Sequence, residues 1–253
     1  MRRADREALA LGLLHGPAEL VPVSSSGHVA ALPWLLGWEV GGWNGERRKE
    51  LEVALHAGTA LALLIVARPR RVRPGLLAAA VLPPAVAGLA LERLIEQRLG
   101  TPVTLAAGLA AGGLALLLSD RVAATRAAED ASARDGLWLG VAQASALVPG
   151  VSRSGATLAA ARFLGFSRAD ASRLSWEVAL PVLVGASTLK AWRVQRNGSD
   201  PSALALGAGA AFASTLATAG AIGIERRAPL WPWAVWRAAL AAAILAVRQN
   251  RGR

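Results

Sequence analysis

Long apolar runs alternate with short polar gaps along the whole chain. Four stretches carry no charge at all: Pro74 to Leu91, Thr101 to Leu118, Leu137 to Ser152 and Pro201 to Ile224. About 20 apolar residues cross bilayer hydrocarbon as a helix, and the last of these stretches has 24. A soluble protein can hide one such helix, but hardly four in 253 residues. The pattern predicts an all-α polytopic membrane protein, with crossings near 51–67, 74–95, 101–119, 172–190, 201–224 and 229–247.

Two segments break the apolar pattern in the same way. They are "LGLLHGPAELVPVSSSGH" (11–28) and "LGVAQASALVPGVSRSGA" (139–156). At an offset of 128, Gly12 matches Gly140, His15 matches Gln143, Ser24 matches Ser152, Ser26 matches Ser154 and Gly27 matches Gly155. Pro22 and Pro149 differ by one position. In each, an apolar run too short to span meets Pro, then a Ser/Gly cluster, then another apolar run. Two short helices joined by irregular polar backbone form a re-entrant hairpin. Such backbone survives at membrane depth only where it lines a cavity or is buried in protein.

Three crossings separate the hairpins. Three is odd, so the second hairpin enters from the opposite face. The expected architecture is an inverted-topology repeat within one integral membrane domain, residues 1–253. Each half is a hairpin plus three transmembrane helices: 1–119 and 137–247, joined by a polar loop at 120–136. The hairpin tips then meet near the midplane, where interrupted segments of corresponding halves build binding sites.

Composition refines this picture. Small residues are abundant, as helix packing in lipid requires. Trp38, Trp43, Trp192, Trp231 and Trp233 sit near segment ends, as an interfacial belt would. The net charge of +11 raises the question of nucleic acid. The arginines cluster in gaps such as "RPRRVR" (68–73), so anionic headgroups are the expected partner instead. The absence of cysteine excludes disulfides and thiolate metal sites. Basic residues ahead of an apolar run make the N-terminus look like a signal peptide. His15-Gly16-Pro17 interrupts that run and no clean cleavage site follows, so it is read as part of the fold. "RPRRVR" as a cytoplasmic loop opens the first hairpin to the outer face, whereas "ERRKE" (46–50) and the Arg-rich C-terminus then lie outside.

The polar residues inside the apolar frame are the candidate chemistry. A carboxylate or arginine near a helix centre costs about 2.5–3.5 kcal/mol on insertion scales, so Glu19 and Arg153 either pair with each other or serve a site. A lone membrane histidine is usually a satisfied hydrogen-bonder; His15, His28 and His56 together weaken that reading. An anion site accounts for more. Arg153 offers a fork of donors matched to phosphate. Ser24, Ser25, Ser26, Ser152, Ser154 and the N–H groups of helices starting after each loop add donors. His28 lies three residues after Ser25, so a helix starting there can bring imidazole and hydroxyl together for acid–base or nucleophilic chemistry. Glu19 could orient the histidine, act as a base or hold a divalent ion.

On "HGPAELVPVSSSGH", "LEVALHAGTALALL" and "ALVPGVSRSGATLAAARFLGFSRADASRLSWEVALPVLVGAS" the chain resembles the undecaprenyl-diphosphatase family, the bacitracin-resistance type of lipid-diphosphate phosphatase. The resemblance covers about residues 8 to 190 and extends beyond them only in hydropathy. It implies hydrolysis of a C55 isoprenyl diphosphate to the monophosphate carrier lipid of peptidoglycan synthesis; the expected location is the bacterial plasma (inner) membrane, with the charge pattern opening the site to the outer face. It also implies Glu19, Ser25, His28, Ser152, Arg153 and Thr157 as active-site positions. His15, expected beside the substrate, stands where the family usually has Gln or Glu, which counts against a two-carboxylate metal role. His56 replaces a usual glutamine, and Glu177 stands where the family is apolar. No obligatory cofactor is evident; Mg²⁺ or Ca²⁺ would arrive with the diphosphate. The oligomeric state stays open, a homodimer among the options. An acid-phosphatase-like lipid phosphatase needs a second histidine after the Ser-Arg pair, and none follows Arg153. The alternative of another class is an inverted-repeat transporter or flippase of a polyprenyl phosphate lipid.

Overall fold

The computed structural model describes residues 1–66, 73–194, 201–221 and 224–251. "RPRRVR", which bears on orientation, lies outside the described residues except for Arg73. The described residues form ten α-helices: α1 (Arg3–Leu20), α2 (Ser25–Leu36), α3 (Gly45–Val66), α4 (Pro74–Arg98), α5 (Pro102–Ser119), α6 (Ala133–Ser145), α7 (Arg153–Phe163), α8 (Arg168–Val194), α9 (Pro201–Ala217) and α10 (Trp231–Arg251). Among them there is no strand, only an isolated bridge between Arg126 and Phe166.

Local chemistry sets the helix starts. Proline opens α4 and α5, where its missing N–H costs nothing. Thr101 caps α5 by accepting from the Thr104 N–H at 3.2 Å. Ser132 caps α6, and the Asp135 carboxylate returns to the Ser132 N–H at 2.8 Å.

A helix lies at each expected crossing among the described residues, and two helix ends depart from the apolar pattern. The charge-free run to Ile224 does not stay helical: α9 stops at Ala217 and a 3-10 turn covers Ala219–Ala221. Thr218 ties its hydroxyl to the Ser214 carbonyl at 2.6 Å, and the poor helix former Gly220 follows. In the other direction, α1 runs on through Pro17 to Leu20. The Ser214 hydroxyl donates to the Gly12 carbonyl at 3.0 Å, supporting the turn that the proline disturbs.

By length and composition, α4 and α5 are long and apolar enough to cross a membrane. Only 17% of Pro74–Leu91 is buried, and Leu82, Val86 and Leu89 are exposed. Leu61, Leu64 and Ile65 on α3 are exposed too. Apolar surface of this extent is stable against hydrocarbon, not water.

The chain divides into two compact units. The first comprises Met1–Leu20, His28–Arg68 and Leu180–Ile222. Its core is Ala8, Leu11, Leu51, Leu55, Ala203 and Ala211. Here α9 packs on α1 and α3. Gly12 faces Gly207 and Ala210, and Gly58 faces the Ala208 carbonyl, so closely that a Cβ at either glycine would overlap its neighbour. Small residues thus let the helices approach, as in lipid they must.

The second unit comprises Val21–Gly27, Pro69–Ala179 and Gly223–Arg253. Leu76, Leu116, Leu139, Leu158, Phe166, Leu174 and Leu230 form its core. Within it α4 packs on α6, α5 on α10, and α7 on both α5 and α6. Ion pairs tie its polar segments: Arg126–Asp135 at 2.8 Å, Arg168–Asp120 at 2.6 Å and Arg73–Glu177 at 2.6 Å. The last accounts for Glu177, whose charge is met by the arginine just before α4.

Candidate active site

The two Ser/Gly segments both belong to the second unit and fold into the same turn. Ser24 has φ 73° and Ser152 has φ 70°, the two positive values outside glycine among the described residues. Such a backbone costs about 1–3 kcal/mol where nothing compensates. Each serine offsets part of that cost as a cap. Ser24 Oγ accepts from the Gly27 N–H at 3.2 Å, and Ser152 Oγ accepts from the Gly155 N–H at 3.2 Å. The next residue opens a helix: Ser25 starts α2 and Arg153 starts α7. Ser25 and Arg153 therefore hold equivalent places, each as the first residue of a helix.

Arg237 of α10, fully buried, holds both turns. Its guanidinium donates to the carbonyls of Gly150 at 2.8 Å and Val151 at 2.6 Å in one loop, and of Pro22 at 3.4 Å in the other. Its Nε donates to the Leu109 carbonyl on α5 at 3.2 Å. Gly112 leaves room for this side chain, since a Cβ there would collide with the guanidinium and the Val151 carbonyl. Gly108 likewise lets the Pro149 carbonyl approach α5.

The remaining predicted residues of this unit fall around the turns. Ser25 is buried and Ser26 partly so. Ser154 Oγ lies 3.3 Å from Ser152 Oγ. Arg153 is half-buried, with its guanidinium 5.8 Å from the centre of the Trp176 ring, within cation–π range. Thr157 is fully buried; its hydroxyl donates to the Arg153 carbonyl at 3.0 Å and meets Ser175 Oγ at 2.5 Å. That bonding fixes the first turn of α7.

A second polar cluster lies wholly in the first unit. His15 and Glu19, one turn apart on α1, stand beside His56 of α3. The two imidazoles meet edge to face, with centres 4.5 Å apart, and His56 Nε2 is 4.0 Å from a Glu19 carboxylate oxygen. His15 and Glu19 are buried, His56 partly exposed. Thr59 supports this cluster through His15 Nδ1, at 2.9 Å. His28, also buried, sits on the first turn of α2, three residues after Ser25.

Sequence reasoning missed Arg237, Thr59, Ser175 and Trp176. Arg237 carried a usable signal, because an ionisable residue inside an apolar helix marks a site by default. The others make no motif.

Fold and turns together define a helical membrane protein that carries strained polar loops inside an apolar frame. More specifically, the chain belongs to the bacitracin resistance protein BacA family, whose sequence profile matches residues 8–243. The match continues beyond the serine motifs through α9 and most of α10, and so includes Arg237. The undecaprenyl-diphosphatase of Geobacter sulfurreducens is 36% identical, covering 94% of this chain and 96% of its own length. That of Gemmatimonas aurantiaca is 35% identical over 97% and 98%, and that of Trichlorobacter lovleyi 34% over 95% and 96%.

Proposed function

We propose that this protein is an undecaprenyl-diphosphate phosphatase, hydrolysing the carrier lipid diphosphate to undecaprenyl phosphate and inorganic phosphate and thereby conferring bacitracin resistance. Family membership supports the activity. The observation that carries the mechanism is the pair of matched turns, one presenting a hydroxyl and the other a guanidinium at the same position, both tied to Arg237.

In this reading Arg153, the Ser152 and Ser154 hydroxyls and the N–H groups opening α7 hold the terminal phosphate and stabilise its growing charge. Ser25 Oγ attacks the terminal phosphorus while His28 takes its proton. The anhydride P–O bond breaks, undecaprenyl phosphate leaves, and water then releases inorganic phosphate from Ser25. Ser26 adds a donor beside the attacking group. Thr157 acts through Arg153, by holding the turn that carries it. His15 and Glu19 form a polar cluster with His56.

The reading extends to architecture. Equal geometry at Ser24 and Ser152, 128 residues apart, supports an inverted-topology repeat of hairpin plus three helices. The isoprenyl tail would lie in the plasma membrane against the exposed apolar helices. A positive cytoplasmic segment at 68–73 supports a site opening to the outer face. A hard cation such as Mg²⁺ or Ca²⁺ would come with the diphosphate. The His15–Glu19–His56 donor set does not suit one, because such ions seek six or more oxygens.

Phosphate release decides the function. Purified protein in detergent, given undecaprenyl diphosphate, is expected to liberate inorganic phosphate. Translocation of the lipid in liposomes with no phosphate release would overturn the phosphatase reading in favour of a transporter.

A further inference from the structure

Within the first unit, an open cleft of about 310 Å³ lies between the start of α1 and the segment after α2, lined by Arg3, Arg6, Glu7, Ala10 and Trp38. The hydrogen bonds around it decide which charge is available. Glu7 is buried and both its oxygens are engaged: Oε1 accepts from Arg3 Nε at 2.9 Å and Oε2 from the Val40 N–H at 3.0 Å. Arg3 also donates to the Gly37 carbonyl at 3.1 Å. Arg3 and Glu7 thus cancel each other's charge and hold the segment after α2 against α1. That seats the Trp38 ring, which packs on the core of this unit. Arg6 is left over. It is exposed, and its guanidinium makes no hydrogen bond or ion pair among the described residues. The cleft therefore has a fixed aromatic wall and one uncompensated positive charge.

The face that carries Arg6 continues into apolar surface. Arg3, Arg6, Ala10 and Leu13 follow one another at spacings of three, four and three, so they share one side of α1. Ala10 is exposed, and Leu13 and Leu36 are each more than half exposed. Arg6 and Leu13 are about 10 Å apart along the helix, at 1.5 Å per residue. A tryptophan beside arginines at such a boundary marks the level of lipid headgroups. A free anion would engage the cationic end and leave the apolar end unused. A phospholipid uses both, with its phosphodiester at Arg6, its glycerol against Trp38 and an acyl chain along Ala10 and Leu13. Net negative charge on the headgroup meets the free guanidinium, whereas a zwitterionic headgroup brings its own cation beside two arginines.

We propose that this cleft is a binding site for an anionic phospholipid, anchored by Arg6 and separate from the serine and arginine turns. The inference concerns the first unit alone and does not rest on the phosphatase reading.

The test is lipid binding by the full chain purified in neutral detergent, counted by native mass spectrometry, with phosphatidylglycerol and phosphatidylcholine of the same acyl chains. The wild type should retain one phosphatidylglycerol about 5- to 10-fold more tightly than phosphatidylcholine. Arg6→Gln should remove that preference, and Arg6→Lys, which keeps the charge, should preserve most of it. Arg134→Gln takes the same charge from an exposed position of the second unit and should leave the preference unchanged. Phosphate release by Arg6→Gln in lipid-free detergent should stay at the wild-type rate. No preference in the wild type, or equal losses in Arg6→Gln and Arg134→Gln, would overturn the site. Displacement of the lipid by inorganic phosphate at the same concentration would mean a site for the anion alone and overturn the lipid assignment. A fall in phosphate release by Arg6→Gln in step with its lost binding would place the cleft on the substrate's path and overturn its separateness.

Discussion

The turn at Ser24–Gly27 and the turn at Ser152–Gly155 share a backbone and differ at one position in four: Ser25 against Arg153. What stays the same is what the backbone requires. The first serine takes the left-handed conformation and caps the helix behind it, at 3.2 Å in both copies. The fourth residue is glycine because space is short: a Cβ at Gly27 would lie 2.9 Å from Ser24 Oγ, and one at Gly155 would lie 2.7 Å from an Arg237 nitrogen. What differs is free of those demands and, in the proposed mechanism, carries the chemistry. A hydroxyl can attack phosphorus but cannot neutralise it; a guanidinium does the reverse.

The sharpest break in this comparison comes from removing the proposed attacking group. Ser25→Ala should lower phosphate release from undecaprenyl diphosphate by about 10⁴-fold or more while leaving the helical content intact. Substantial retained release would assign the attack to water instead.

Arg237→Met should strike both turns together. It strands the loop carbonyls of Gly150 and Val151 in a buried place, each at about 1–3 kcal/mol, offset in part by relief of a buried charge. A net loss of about 3 kcal/mol should appear as a lower melting midpoint in detergent. An unchanged midpoint would mean that the turns stand without the clamp.

A smaller effect tests whether the two frames are energetically alike. Ser24→Ala and Ser152→Ala should each cost about 1 kcal/mol by losing the cap. Ser24→Gly and Ser152→Gly should cost less, because glycine relaxes the positive φ. Unequal responses at the two turns would break the correspondence.

The smallest effect lies away from the turns, where Arg126 beside Asp135 holds that carboxyl down to about 2 from its ordinary 3.8. A depressed acid stabilises the fold above the unfolded value and loses that contribution as pH falls through the folded one. Asp135→Asn should therefore lower the melting midpoint at pH 7, and the gap to wild type should close between about pH 4 and pH 2. A gap that persists at pH 2 would deny the pair its role.

Much of this was legible in the chain because lipid makes polarity conspicuous. The Pro-Ser-Gly breaks and the residues Glu19, Ser25, His28 and Arg153 stand out against an apolar background, and offset matching placed Ser24 against Ser152. Helix ends were less readable: α9 stops short within a charge-free run and α1 passes through Pro17, since glycine and a hydroxyl from a neighbouring helix decide both. Arg237 escaped notice because its partners are main-chain carbonyls, which leave no trace in a side-chain pattern. The grouping of His15 with His56 depends on two helices meeting, and each histidine alone reads as an ordinary buried hydrogen-bonder.

The central claim is that the second turn supplies the cation for the phosphate being removed. The direct measurement is inorganic phosphate release from undecaprenyl diphosphate by Arg153→Ala, with wild-type melting behaviour as the control for folding. The account predicts a loss of about 10³-fold. A folded variant that releases phosphate at the wild-type rate would contradict it.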